Sequence, residues 1–153
     1  MKYNWPRGRD VARIKKFCSK HGDLILGGTI LAIDPASKSA GYALYKCGVF
    51  ITGGSITVEG PVSKRLNKLF HKIEQLGHRP DILVIETIRA TMSHIYLRWS
   101  VGALVAASNA EHVLEVNALV WRSMVPPDYV KTDSQDAYWL GKAVIELNKE
   151  VMT

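Results

Sequence analysis

The sequence predicts an α/β domain built on a mixed five-stranded sheet with helices packed on both faces. Three observations carry that expectation. Apolar runs over 30–34, 41–46 and 49–52 follow one another with room only for turns, as in a meander of three strands. Helical and strand-like segments then alternate to the end of the chain. Finally, 153 residues at 47% hydrophobic composition suit one compact core, with neither an internal repeat nor a second domain.

Residues 1–28 read as a basic N-terminal arm, partly helical because Val11, Ile14 and Phe17 or Cys18 recur at helical spacing with cations between them. Two roles fit it equally: a solvated helix on the domain edge, or an arm contacting DNA. Gly27 and Gly28 mark the entry to a core domain spanning 29–153. Ile30–Asp34 is the first strand, and Cys47-Gly48 turns between the second and third. Val62, Leu66, Leu69, Phe70, Ile73 and Leu76 keep one face of a helix over 62–76, and Gly77 stands where it should stop.

Ile82-Leu83-Val84-Ile85 is a continuous apolar run, which suits a strand covered on both faces. Residues 94–109 are rich in Ala, Leu and Val with almost no charge, so this helix is expected to be buried all round, inside the fold or against a second subunit. A fifth strand over 112–116, an interruption at Pro126-Pro127 and a final helix from Asp133 toward Leu147 complete the order.

Charge narrows the partner. Twenty Lys and Arg against fourteen Asp and Glu give a net +6, which favours a polyanion. Seven of the cations and only Asp10 and Asp23 precede residue 29, so that stretch carries five of the six net charges. Cys18 and Cys47 fit no metal-ligand spacing and read as free thiols of a reducing intracellular compartment. No apolar run approaches the ~18 residues of a membrane helix, so no membrane partner is expected.

The acids carry the chemistry. Asp34 and Glu86 each end an apolar strand, where a charge belongs only if the strand end opens into a cleft. Asp133 and Asp136, three apart, share a helix face with Ala137, Leu140, Val144 and Leu147, so they point where the core points. Read singly, Asp133 could cap its helix, Asp136 could meet the helix dipole and Asp34 could serve the turn before Pro35. That explains Glu86 poorly and leaves the coincidence of three element ends unexplained. Four converging carboxylates repel one another unless cations compensate. Oxygen-only ligands favour Mg²⁺ or Mn²⁺ over zinc, and two such ions ~3.5–4 Å apart suit phosphodiester hydrolysis without a protein nucleophile.

The segments Ile30-Leu-Ala-Ile-Asp34-Pro-Ala-Ser-Lys-Ser-Ala-Gly41-Tyr42, Ile82-Leu-Val-Ile-Glu86 and Lys131-Thr-Asp133-Ser-Gln-Asp136-Ala137 resemble, in order, the opening strand, central strand and closing acidic motif of the RuvC-like Holliday junction resolvases. The resemblance covers about residues 29–150. It implies a ribonuclease H-like fold, the four metal-binding roles for Asp34, Glu86, Asp133 and Asp136, two Mg²⁺ ions replaceable by Mn²⁺, and branched four-way DNA as substrate. It also suggests Lys131 as a contact to the scissile phosphate, with a solvated loop lysine the plainer reading. Two departures stand out. Ala36 replaces the usual glycine after the first acid, and Arg89 stands near the family's aromatic wedge, for which Ile88 or Met92 could substitute.

The five histidines, His21, His71, His78, His94 and His112, show no zinc or triad spacing and read as structural or surface residues. Trp99, Trp121 and Trp139 read as core, while Tyr42 and Tyr45 near the first acid could touch nucleic acid. Helix 94–109 carries Gly102, Ala103, Ala106 and Ala107, which permit close approach, and a two-fold junction suits a homodimer built on it. Three other functions share these features: a related nuclease acting on RNA or RNA–DNA hybrid, a sugar-kinase or actin-type phosphate-binding fold, and a non-catalytic DNA-binding module. The second normally pairs two such domains, and the third wastes four placed acids.

Overall fold

The computed structural model describes residues 2–36, 39–76, 79–87 and 95–153. Its elements, in chain order, are α1 (Arg9–Gly27), β1 (Thr29–Pro35), β2 (Ser39–Lys46), β3 (Val49–Thr57), α2 (Val62–Gln75), β4 (Ile82–Glu86), α3 (Ile95–Ser108), β5 (His112–Val116), α4 (Ala118–Arg122) and α5 (Asp133–Met152). The sheet runs β3-β2-β1-β4-β5, with β1, β2 and β3 antiparallel and β1, β4 and β5 parallel. The predicted five-stranded mixed sheet is therefore present. Cys47 and Gly48, both at positive φ (52° and 74°), make the β2–β3 turn, as their position suggested. The expected helix stop at Gly77 lies outside the described residues.

Strand alternation divides the core in two. Ile30 and Ala32 of β1, Ala43 and Tyr45 of β2, and Ile82 and Val84 of β4 face α1, α4 and α5. Leu31, Ile33, Leu44 and Leu83 face α2 and α3. Both central strands are consequently buried on both faces, which is why Ile82–Ile85 is apolar without interruption. Alternation also fixes the acids. Asp34 is two residues beyond Ala32 and Glu86 two beyond Val84, so both side chains emerge on the α5 face.

Two expectations change. The segment 94–109 is helical over Ile95–Ser108 but is not buried all round: Ser100, Leu104, Ala107 and Ser108 are covered, while Ile95, Tyr96 and Trp99 stand 45–49% exposed. Composition shows that a helix is apolar, not which neighbours it has. α3 packs against α2 on the sheet face opposite α5, so the final helix does not cover its outward side. The short helix α4, capped by the Asn117 side chain accepting from Leu119 N, was not foreseen.

The stretch read as an arm holds a helix that belongs to the core. Val11, Ile14, Cys18 and Ile25 of α1 join the same cluster as β1, β4 and α5, and Asn148 of α5 donates to the Gly22 carbonyl. α1 also flanks the edge strand β5, where Arg13 donates to the Glu115 carbonyl and the Phe17 and His21 rings stack near His112. An Ile14→Ala substitution, at a fully buried position, should therefore cost about 2–5 kcal/mol. Urea denaturation followed by circular dichroism would check it, and a loss below about 1 kcal/mol would show that α1 is only loosely attached.

Candidate metal centre

β1 and β4 are parallel neighbours in register, Ile33 beside Ile85, so the acids that follow each strand emerge at the same end of the sheet. The third contributor is the N-terminus of α5. Thr132 caps it by accepting from Gln135 N, which leaves Asp133 free as the first helical residue instead of the cap. Asp133 Oδ2 accepts a 2.9 Å hydrogen bond from Ser39 Oγ. Asp136, one turn on, is 3% exposed.

One glycine permits this. Gly41, paired with Asp34 across β1–β2, lies directly beneath the start of α5, and a Cβ on it would overlap the Asp133 carbonyl group. Only a residue without a side chain lets the helix backbone descend onto β2 at that point.

All four predicted acids are brought together electrostatically. Burial pushes the Asp34 carboxyl up to about 8, and the charges of Glu86, Asp136 and Asp133 push it the same way. Asp34 faces Asp136 closely enough for a protonated Asp34 to donate to it. Asp136 is itself raised, first by burial and then by Glu86, while the Asp34 hydrogen bond and the Arg122 guanidinium act against that rise. Asp136 Oδ1 is fully buried and has no hydrogen-bond partner among the described residues. A buried acceptor of that kind normally has one.

Two residues that the sequence did not assign to the site, Trp121 (read there as core) and Arg122, adjoin the acids. Trp121, 1% exposed, donates its indole N–H to Glu86 Oε2 at 2.8 Å. Arg122 sits over the Trp121 ring at 5.3 Å and lines, with Glu86, Thr87 and Asn117, a cleft of about 430 Å³ that opens beside the acids. The available signal was positional: α4 directly follows β5, the strand beside the one that ends in Glu86. Lys131, by contrast, is exposed in the loop before α5 and is not among the groups that shift the carboxyls. Tyr45 is buried and bonded to the Tyr138 carbonyl, so it is not free to touch nucleic acid. Arg89, Ile88, Met92, His78 and His94 lie outside the described residues.

The donor set is oxygen only, and the unpartnered Asp136 oxygen together with an Asp34 carboxyl that resists ionisation fits a missing positive charge. Among the described residues no three His, Cys, Asp or Glu side chains are already gathered as a group ready to hold one ion. The carboxylates are nevertheless close enough to act on one another electrostatically.

No family model matches the chain, and no curated protein matches it. Among solved structures, RuvC of Thermus thermophilus in complex with a Holliday junction substrate aligns with a TM-score of 0.61 and 14% identity, over 81% of this chain and 95% of that one. A further T. thermophilus RuvC structure gives 0.56 and 16%, over 81% and 96%. The likeness is one of fold, and the α/β sheet with its helices is ribonuclease H-like.

The carboxyl cluster makes stability depend on pH. Asp34 binds its proton more tightly in the folded chain than in the unfolded one, so its contribution is fully present below the ordinary value of 3.8. It is lost as pH rises from there through about 8. With divalent metals chelated, the melting temperature should fall across that window. Asp34→Asn should flatten the fall, and millimolar Mg²⁺ at pH 8 should raise the wild-type melting temperature more than that of the variant. Parallel profiles for the two proteins would contradict the cluster.

Proposed function

We propose that this chain is a Mg²⁺-dependent endonuclease that resolves four-way DNA junctions by paired phosphodiester hydrolysis, with Asp34, Glu86, Asp133 and Asp136 holding two metal ions. The observation that carries this reading is the convergence on Asp34 of three further carboxylates, Glu86 from β4 and Asp133 and Asp136 from α5, which together with its burial raise its pKa to about 8. Divalent ions there would supply Lewis-acid activation of water and stabilisation of the leaving oxygen. Mn²⁺ can replace Mg²⁺ with the same oxygen donors.

The chain's own residues set the geometry around that chemistry. Asp34 and Glu86 are held on rigid strand ends, and the Trp121 N–H fixes one Glu86 oxygen. Ser39 does the same for Asp133. Arg122 offers a fixed cation beside the cluster, suited to a phosphate oxygen entering the cleft. Lys131, exposed in the loop before α5, would serve as a further phosphate contact.

The substrate assignment rests on fold likeness to a protein solved with a Holliday junction, together with the net positive charge of this chain. Symmetric paired nicks call for two acidic clusters, and the uncovered side of α3, with Ile95, Tyr96 and Trp99, suits a second copy of the chain. Free Cys18 and Cys47 agree with a reducing compartment. No described helix is long and apolar enough to cross a membrane.

Purified protein offered four-way junction, Y-fork, linear duplex and RNA–DNA hybrid with Mg²⁺ should nick the junction, at symmetric positions near the crossover. Replacing Asp34 or Asp136 by Asn, or Glu86 by Gln, should reduce cleavage by more than the ~10–100-fold typical of changes outside the ligand sphere, while junction binding persists. Substantial cleavage by Asp34→Asn would refute the assignment, and preference for the hybrid would move the substrate to RNA. Light scattering should give a dimer, and Trp99→Glu should convert it to monomers that lose paired nicking.

A further inference from the structure

We infer that the outer face of α1 is a second nucleic-acid contact, a phosphate-tracking stripe that follows a duplex arm away from the acidic cluster; it rests on the DNA-binding reading above and extends it.

The stripe is set by helical phase. Val11, Ile14, Cys18, Gly22 and Ile25 are the buried residues of α1. Arg9, Arg13, Lys16 and Lys20 follow one another at intervals of four, three and four, so they lie on one face, and that face is turned about half a revolution from the buried one. All four are exposed. The acids on the helix are Asp10, half-buried to one side, and Asp23, exposed near the end of the stripe.

Sheet register gives the stripe a direction. Arg13 donates to the Glu115 carbonyl, and Glu115 pairs with Ile85, the residue before Glu86. His21, two turns later, stacks on His112, which pairs with Ile82 at the opposite end of β4. α1 therefore begins at the acid end of the sheet and runs along the β5 edge toward the far end. The twelve residues from Arg9 to Lys20, ahead of the kink at His21, carry the four cations over about 18 Å. A duplex leaving the acidic cluster along this edge presents one backbone to a row of cations.

The fold does not need these charges. The hydrophobic face docks α1, and only Arg13 of the four makes a hydrogen bond to another element among the described residues. Four long cations left on an outward face, beside a site that must receive a polyanion, fit backbone contact rather than packing.

The test is a variant with Arg9, Arg13, Lys16 and Lys20 each changed to Gln. A second variant, R9Q/K16Q/K20Q, keeps the Arg13 bond. Both should keep the wild-type melting temperature to within a few degrees. Binding is measured in EDTA, with four-way junction and with linear duplex, as salt is varied. For the quadruple variant the slope of log affinity against log salt should shrink by about 2 to 4, since each phosphate contact contributes about 0.9, and affinity should fall at least about tenfold. The triple variant should lose slightly less. Changing Lys64 and Lys72 of α2, on the other sheet face, to Gln should leave the slope unchanged. Unchanged slopes in folded α1 variants overturn the inference, as does an equal loss from the α2 control. A wild-type protein that cuts no junction, while its duplex slope still depends on α1, overturns the resolvase reading and leaves this one standing.

Discussion

The approach of the α5 backbone to β2 at Gly41 is the constraint on which the rest depends. Because that residue has no side chain, the first turn of α5 lies directly on the strand pair β1–β2, at the level of Asp34. Asp133 thereby comes within reach of Ser39, and Asp136 is carried down to almost complete burial. A larger residue at 41 would lift the helix start and move two of the four acids away from the other two. The rest of α5 cooperates through Ala137, Leu140, Val144 and Leu147, all fully buried, which hold the helix flat on the sheet. Gly141 matters in the same way, since a Cβ there would meet the Tyr45 ring.

Strand direction supplies the second half of the arrangement. Had β4 run antiparallel to β1, Asp34 and Glu86 would sit at opposite ends of the sheet. The crossover through α2 makes the pair parallel, and a residue two past a buried position on each strand emerges on the same face at the same end. The cost is electrostatic. Carboxylates gathered and buried in this way cannot all be ionised without a compensating cation, and the raised Asp34 carboxyl and the unpartnered Asp136 oxygen express that cost. Among the described residues Arg122 is the cation that counters it at Asp136, and one guanidinium does not balance four acids.

Much of this was legible in the sequence because the signals were local. Continuous apolar runs ending in acids gave β1 and β4, and the 133–147 stripe gave the buried face of α5. The four acids followed from those patterns together with the family resemblance. What was not legible depended on neighbours. The outward side of α3 looked buried because apolar composition carries no information about what packs on it. Trp121 and Arg122 lie on a five-residue helix too short for periodicity, and their bonds to the acids exist only once β5 is laid beside β4. Lys131 was singled out by the resemblance and its nearness in sequence to Asp133; Arg122, which acts on Asp136, arrives from a different element and left no such signal. The segment before residue 29 read as an arm because its seven cations face only two acids, yet four well-spaced apolar positions suffice to dock a helix.

The resulting charge layout answers a difficulty inherent in the site. A cluster of carboxylates repels a phosphate chain, so a polyanion approaches only if positive charge elsewhere outweighs the acids at longer range. Bound metal ions would neutralise the cluster itself, but only within a few ångströms. Exposed charges still act over roughly 8–10 Å at physiological salt; among the described residues Arg122 and Arg98 line clefts with Glu86, and sheet register places the first turns of α1 at the same end as the acids. The sheet thus separates two electrostatic tasks on one molecule. On the reading proposed above, strand ends and α5 gather the negative charge that would hold cations, while helices at the adjoining edge carry fixed positive charge that would make the surroundings of that cluster habitable for a nucleic-acid backbone.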